Sequence, residues 1–178
     1  RFRLSTNFAA SMLPTGQAPD GEVEDYLVEV IAYDYGDLPD NGAGTGTGNY
    51  QTAGADNGPV HQIFNTIKIA ATVDGEGDGQ QNAGASGDDG ASNDDEEILI
   101  PLLQAGFPAT IQINVMNMTG SPAGLYGFFD WNGDGDFADA GETVSAIVLS
   151  GTNGPVPFTL NIPANALLNT PLGLRFRL

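Results

Sequence analysis

Gly124-Leu125-Tyr126-Gly127-Phe128-Phe129-Asp130-Trp131-Asn132-Gly133-Asp134-Gly135-Asp136-Phe137-Ala138-Asp139-Ala140-Gly141-Glu142 leads directly into Thr143-Val144-Ser145-Ala146-Ile147-Val148-Leu149-Ser150. Asp130, Asn132 and Asp134 place oxygen ligands at alternate positions, and Gly135 sits where a short loop must turn sharply round one hard cation. That is the first half of an EF-hand loop, yet Glu142 arrives one residue late for the second half. The flanks, 124–129 and 143–150, read as strands rather than helices. An acidic cation loop on a β scaffold is the reading that fixes the fold class.

Outward from this hairpin the chain repeats the same grammar. Runs rich in β-forming residues cover 24–32, 60–71, 97–103, 109–117, 124–131, 143–150, 156–162 and 172–178. In 24–32 the alternation puts Tyr26, Val28 and Val30 on one face. Gly, Pro, Asn and Asp separate the runs, and no long stretch carries a 3.6-residue period. About eight short strands with such loops predict an all-β chain: an antiparallel β-sandwich, Ig-like or jelly-roll-like, with long acidic loops.

Two stretches, 38–59 and 73–95, are too long and too rich in glycine to be ordinary connections, so the second reads as a loop ordered by ligand. From Asp74 to Glu97 it carries nine acids in 24 residues and no base. Alternation puts Asp74, Glu76 and Asp78 within reach of one ion, and Asp88, Asp89, Asp94 and Asp95 extend the cluster. The expected metal ligands are therefore Asp130, Asn132, Asp134, Asp136 and Glu142 in the hairpin, and Asp74, Glu76, Asp78, Asp88, Asp89, Asp94 and Asp95 in the loop. Ca²⁺ suits an oxygen set of variable geometry better than Mg²⁺, which demands a tight octahedron.

The same four residues open and close the chain, as Arg1-Phe2-Arg3-Leu4 and Arg175-Phe176-Arg177-Leu178, 174 positions apart. They hold four of the five basic residues; the fifth is Lys68. A domain-sized period of about 174 residues predicts a tandem array. Residues 1–33 would be the C-terminal part of one module, and 34–178 the main sandwich body of the next. Alternation puts both arginines of each tetrapeptide on one face, where Glu22, Glu24 or Asp25 are the expected partners. In such an array each tetrapeptide would be a last strand, and each fold would be completed across a junction.

These residues, together with Gly21-Glu22-Val23-Glu24-Asp25-Tyr26, resemble the GEVED domain family, whose modules occur in large secreted or surface proteins of bacteria and archaea. The family's Arg-Phe-Arg-Leu-Ser-like strand and its Gly-Glu-Val-Glu-Asp-Tyr motif correspond to 1–5 and 21–26. Its aspartate-rich start looks like 34–40, and its acidic segments look like 73–78, 87–89 and 94–97. Its aromatic hairpin looks like 130–135, with Trp131 where Phe is usual. Asp56–His61 matches the family's Gly-Ala-Arg-His segment only loosely and lacks its Arg. The resemblance implies a β-rich adhesive or structural extracellular module that binds Ca²⁺, with no catalytic activity attached.

Net charge is -18, with 23 acids against 5 bases, which excludes nucleic acid and anionic lipid as partners. Such self-repulsion opposes compaction unless cations neutralise it. Cysteine is absent and His61 is the single histidine, so thiolate sites and imidazole metal clusters are ruled out. No run of 18 apolar residues predicts a membrane span. The expectation is a non-enzymatic, extracellular, cell-surface module of a fibre, filament or giant adhesin, stiffened by calcium and touching neighbouring copies of itself. The alternative is a calcium-dependent binder of surface glycans, with Tyr50, Tyr126 and Trp131 as stacking faces. Asn117-Met118-Thr119 matches the N-glycosylation pattern, and Lys68 between Ile67 and Ile69 reads as a snorkelling or ion-paired side chain.

Overall fold

The computed structural model describes residues 1–87 and 98–178. It divides into two units, Arg1–Ile31 and Ala32–Leu178.

In the first unit, β1 (Phe2–Leu4) and β2 (Glu22–Glu24) pair antiparallel, with Phe2 opposite Glu24, Arg3 opposite Val23 and Leu4 opposite Glu22. Between them lies a single turn of helix, α1 (Phe8–Ser11), which starts at Asn7 because that side chain accepts from the Ala10 amide. Asp20 latches the return: it accepts from the Ser5 hydroxyl at 2.7 Å, from the Thr6 amide at 2.9 Å, and from the Thr6 hydroxyl. Arg1 Nε meets Asp25 at 2.6 Å, the one ion pair among the described residues. The run at 24–32 does not extend this pairing, since β2 ends at Glu24. Alternation defines two faces, but a strand also needs a neighbour for its amides and carbonyls, and residues 25–31 have none among those described.

The second unit carries β3 (Tyr33–Asp34), β4 (His61–Gln62), β5 (Ile67–Ile69), β6 (Pro108–Asn117), β7 (Ala123–Phe129), β8 (Thr143–Val148), β9 (Thr152–Asn161) and β10 (Leu174–Arg177). Two three-stranded antiparallel sheets, ordered β10-β7-β8 and β5-β6-β9, form a β-sandwich, while β3 and β4 pair separately. The construction is one long hairpin folded double. β6 pairs with β9 from Pro108↔Asn161 to Asn117↔Thr152, and β7 pairs with β8 from Ala123↔Val148 to Phe128↔Thr143. Both legs cross between the sheets at the same level, at 118–122 and 149–151, leaving 130–142 as the tip.

Alternation along these strands fills the space between the sheets. Ile111, Ile113 and Val115 of β6 and Phe158 and Leu160 of β9 face Leu125, Phe129 and Val148, all essentially without exposure. Each such burial stabilises by about 1.5–3 kcal/mol. Gly127 lets the Phe158 ring lie against the β7 backbone, because a Cβ there would come within 2.8 Å of that ring.

Several expectations change in detail. The run at 60–71 breaks into β4 and β5, because Ile67 donates back to the Phe64 carbonyl and closes a turn between them. Residues 98–103 form no strand. Asn117 is fully buried at the corner of the folded hairpin; its amide donates to Ser121 and Val148 carbonyls, both at 2.9 Å, so its nitrogen is committed to the fold. Lys68 donates to the Ala71 carbonyl. No helix of the described residues is long and apolar enough to cross a membrane.

Candidate metal centre

The tip of the folded hairpin begins and ends with buried acids, Asp130 at 0 % exposure and Glu142 at 1 %. Asp130 organises the turn from its first position. Its Oδ1 accepts from the Gly133 and Asp134 amides at 2.6 and 3.1 Å, and its Oδ2 accepts from the Gly135 amide at 3.0 Å and the Tyr50 hydroxyl at 2.8 Å. Glu142 closes the loop from the other end, accepting from the Trp131 amide at 2.9 Å and the Asp139 amide at 3.2 Å. Burial pushes the Glu142 carboxyl up, the two amides pull it down, and the charges of Asp130 and Asp139 add to the rise.

Between these ends, Asn132 Nδ2 donates to Asp134 at 2.9 Å and to Asp139 at 2.6 Å. A partial positive charge thus stands between two carboxylates, the place a cation would take. Asp134 accepts from the Asp136 amide and Asp136 from the Ala138 amide, so both also stiffen the turn locally. The structure therefore brings together Asp130, Asn132, Asp134 and Glu142, with Asp136 one step along the chain. It adds Asp139, which reading the EF-like spacing missed, although its place three residues before Glu142 is the signal that would have found it. As placed, no group of three or more His, Cys, Asp or Glu among the described residues could hold a metal ion.

Tyr50, expected only as a stacking face, also reaches the tip through its hydroxyl. Burial, and then its bond to Asp130, push its hydroxyl up to about 12. That hydroxyl also accepts from the Gly173 amide at 2.8 Å, and the ring stacks on Phe137 with centroids 5.6 Å apart. The Arg175 guanidinium lies 5.6 Å from the centroid of the same Phe137 ring. Trp131 stacks parallel to Phe129 at 5.0 Å and donates to the Gly141 carbonyl. Of the three aromatic faces considered for sugar stacking, Tyr50 and Trp131 are buried and Tyr126 is exposed.

The Asp74–Asp78 series is divided. Asp78 turns to the Gly54 and Gly79 amides, at 2.6 and 2.9 Å. Glu76 instead faces Tyr35, accepting its amide at 3.1 Å, and burial pushes its carboxyl up to about 8, with Asp34 and Asp74 adding to the rise. Its Oε1 is buried without a donor, which a proton shared with Asp74 would satisfy. Asp88, Asp89, Asp94 and Asp95 lie outside the described residues.

The raised Glu76 value has a definite sign. The folded state holds this proton over a pH range in which the unfolded chain has released it, so stability falls as pH rises from about 4.5 to about 8. In chelator, the urea midpoint is expected to drop between pH 5 and pH 8, and Glu76→Gln is expected to remove most of that drop. An equal slope in the variant would place the cause elsewhere.

Arg175 and Arg177 take neutral partners within this unit: Arg175 donates to the Thr52 hydroxyl at 2.8 Å and Arg177 to His61 Nε2 at 2.9 Å. Burial, and then the charge of Arg177, lower His61 from its ordinary value and keep it neutral, an acceptor on β4. Compared with known proteins, residues 124–178, spanning β7, the acidic tip, β8, β9 and β10, match the family model of the GEVED domain. No curated protein and no solved structure matches the chain.

Proposed function

Starting from that similarity, we propose that this chain is a structural module of an extracellular tandem array, a surface fibre or adhesin, whose acidic hairpin tip is stiffened by Ca²⁺. The observation that carries the reading is the tip itself. Asp130, Asp134, Asp139 and a buried Glu142 crowd one turn of 13 residues that contains no Lys or Arg. Carboxylates held this close repel unless a cation or a proton separates them.

The donor chemistry, by residue type, is that of a hard-cation site. Asp130, Asn132, Asp134, Asp136, Asp139 and Glu142 supply only oxygen, and rotating the Asn132 amide would exchange its NH₂ for Oδ1. A bound divalent ion would supply positive charge to a loop that now relies on backbone amides and one side-chain amide. Extracellular calcium supports sites with dissociation constants of about 0.1–1 mM, so weak binding suffices. The repeated tetrapeptide at 1–4 and 175–178 supports the array, and the net charge of -18 gives bound cations a self-repulsion to offset within each module.

Thermal unfolding of the chain in Ca²⁺, in Mg²⁺ and in chelator tests this. At 100 times the dissociation constant, Ca²⁺ is expected to stabilise by about 2.7 kcal/mol. That corresponds to a Tm higher by roughly 5–11 °C for a chain of this size, abolished when Asp134 and Asp139 are both changed to Asn. No shift, or an equal one in Mg²⁺, would sink the calcium reading.

A further inference from the structure

β10 is an edge strand: its sheet runs β10-β7-β8, and no described residue pairs with its outer side. Along that side lies a cavity of about 590 Å³. Its apolar wall includes Ile63, Phe64, Ile98, Ile100 and Phe176, and its charged rim includes Arg175 and Arg177. Among the described residues, no strand fills this space beside the open edge.

The first unit has the opposite defect. Its β1 carries the same tetrapeptide as β10 and is already paired, on β2. From β2 onward the segment exposes Tyr26 at 63 %, Val28 at 85 % and Val30 at 90 %. One Arg-Phe-Arg-Leu strand thus shows two neighbours in two places, β7 on one side and β2 on the other.

We propose that the outer edge of β10 and the cavity beside it receive residues Gly21–Ile31 of a second copy of this chain, giving the order β2-β10-β7-β8 across the junction. The proposal rests on the repeat reading above but not on calcium. Transferring the β1–β2 register puts Glu22, Val23 and Glu24 of the incoming copy opposite Leu178, Arg177 and Phe176, and Asp25 opposite Arg175. Residues opposite one another share a face, so Tyr26, Val28 and Val30 continue the face of Leu174 and Phe176, which pack against the core. Phe2 and Tyr26 already make this contact edge-to-face, with centroids 6.0 Å apart.

The arginine donors agree. Arg1 uses Nε and Nη2 on Asp25 and Nη1 on the Pro14 carbonyl, whereas Arg175 uses one Nη2 hydrogen on Thr52. Arg3 uses Nη1 twice and Nη2 once, on the carbonyls of Leu13, Thr15 and Gly16, whereas Arg177 uses Nε on His61. A guanidinium carries five N–H donors, so Arg175 can keep Thr52 on one Nη2 hydrogen and still offer Nε and the other Nη2 hydrogen to Asp25 of the incoming copy. The cavity also gives β10 an advantage over β1 as partner for β2, because only there do Tyr26, Val28 and Val30 leave water.

The chain lacks cysteine, so introduced thiols report cleanly. Full-length Arg177→Cys and full-length Val23→Cys chains are mixed in a glutathione redox buffer and the disulfide heterodimer is quantified. At least ten-fold more heterodimer is expected than from Arg177→Cys with the off-register Glu29→Cys. Because Arg177 bonds His61, a second pair, Leu178→Cys with Glu22→Cys, repeats the test without touching that bond. Cross-linking at both registered pairs supports the edge; equal yields on and off register, or none at either registered pair, overturn it. The thermal shift in calcium is read separately, so the two proposals fail independently.

Discussion

Gly135→Ala is expected to lower stability by about 3 kcal/mol or more and to reduce Tm by roughly 6–12 °C. Gly135 has φ +90°, a backbone region in which a side chain costs about 1–2 kcal/mol. An alanine Cβ would also lie 1.7 Å from the Gly46 carbonyl oxygen and 2.7 Å from that of Asn49. These are backbone atoms, which cannot rotate away as a side chain would. Gly46 and Asn49 exchange two hydrogen bonds across a tight turn, so the 46–49 segment must shift as a body and take Tyr50 with it. Urea unfolding checks this through a lower midpoint at unchanged slope. A loss under about 1 kcal/mol would mean that the tip and the 46–49 turn are not packed as described.

Asp130→Ala is expected to cost about 4–5 kcal/mol, the range reached when a buried hydrogen-bond network loses its centre. Four donors, three of them backbone amides, converge on this carboxylate, and hydrogen bonds to charged groups contribute about 1.5–3 kcal/mol each without being additive. The loss should persist in chelator, because it comes from orphaned amides rather than from a missing ion. Tyr50→Phe removes one of the four donors and leaves the Gly173 amide without its acceptor, so its cost should be clearly smaller. Equal losses for the two variants would place the stabilisation in the tyrosine rather than in the aspartate.

How far these features were legible depends on how local their causes are. β6, β7, β8 and β10 follow the β-rich runs to within two residues at each end, whereas β9 starts at Thr152, four residues before the expected run, because its pairing with β6 carries the strand through Gly154 and Pro155. The acidic tip was legible in part: spacing within 13 residues gathered Asp130, Asn132, Asp134 and Glu142 into one turn but passed over Asp139, which meets the Asn132 amide. Tyr50 was not: it reaches Asp130 across 80 residues and the Gly173 amide across 123, and no period or motif encodes such a meeting. Alternation at 74–78 proved a poor guide, because glycines between the acids let Asp78 turn to the Gly54 amide while Glu76 turned inward. Residues 24–32 show the other limit. Their alternation predicts a strand, but β2 ends at Glu24 and both sets of side chains from 25 to 31 are exposed, because alternation does not supply a neighbour.

The doubled hairpin also sets an order of assembly. β7 and β8 meet across a short connection, and once they have closed, the ends of β6 and β9 are already near one another. Each later pairing then spans an effectively short loop, although Pro108 and Asn161 are far apart in sequence. The acidic tip therefore lies at the first closure, where its carboxylates are forced together before any core exists to hold them. Screening that repulsion is expected to lower the barrier to folding, so added salt should raise the refolding rate measured by stopped-flow fluorescence.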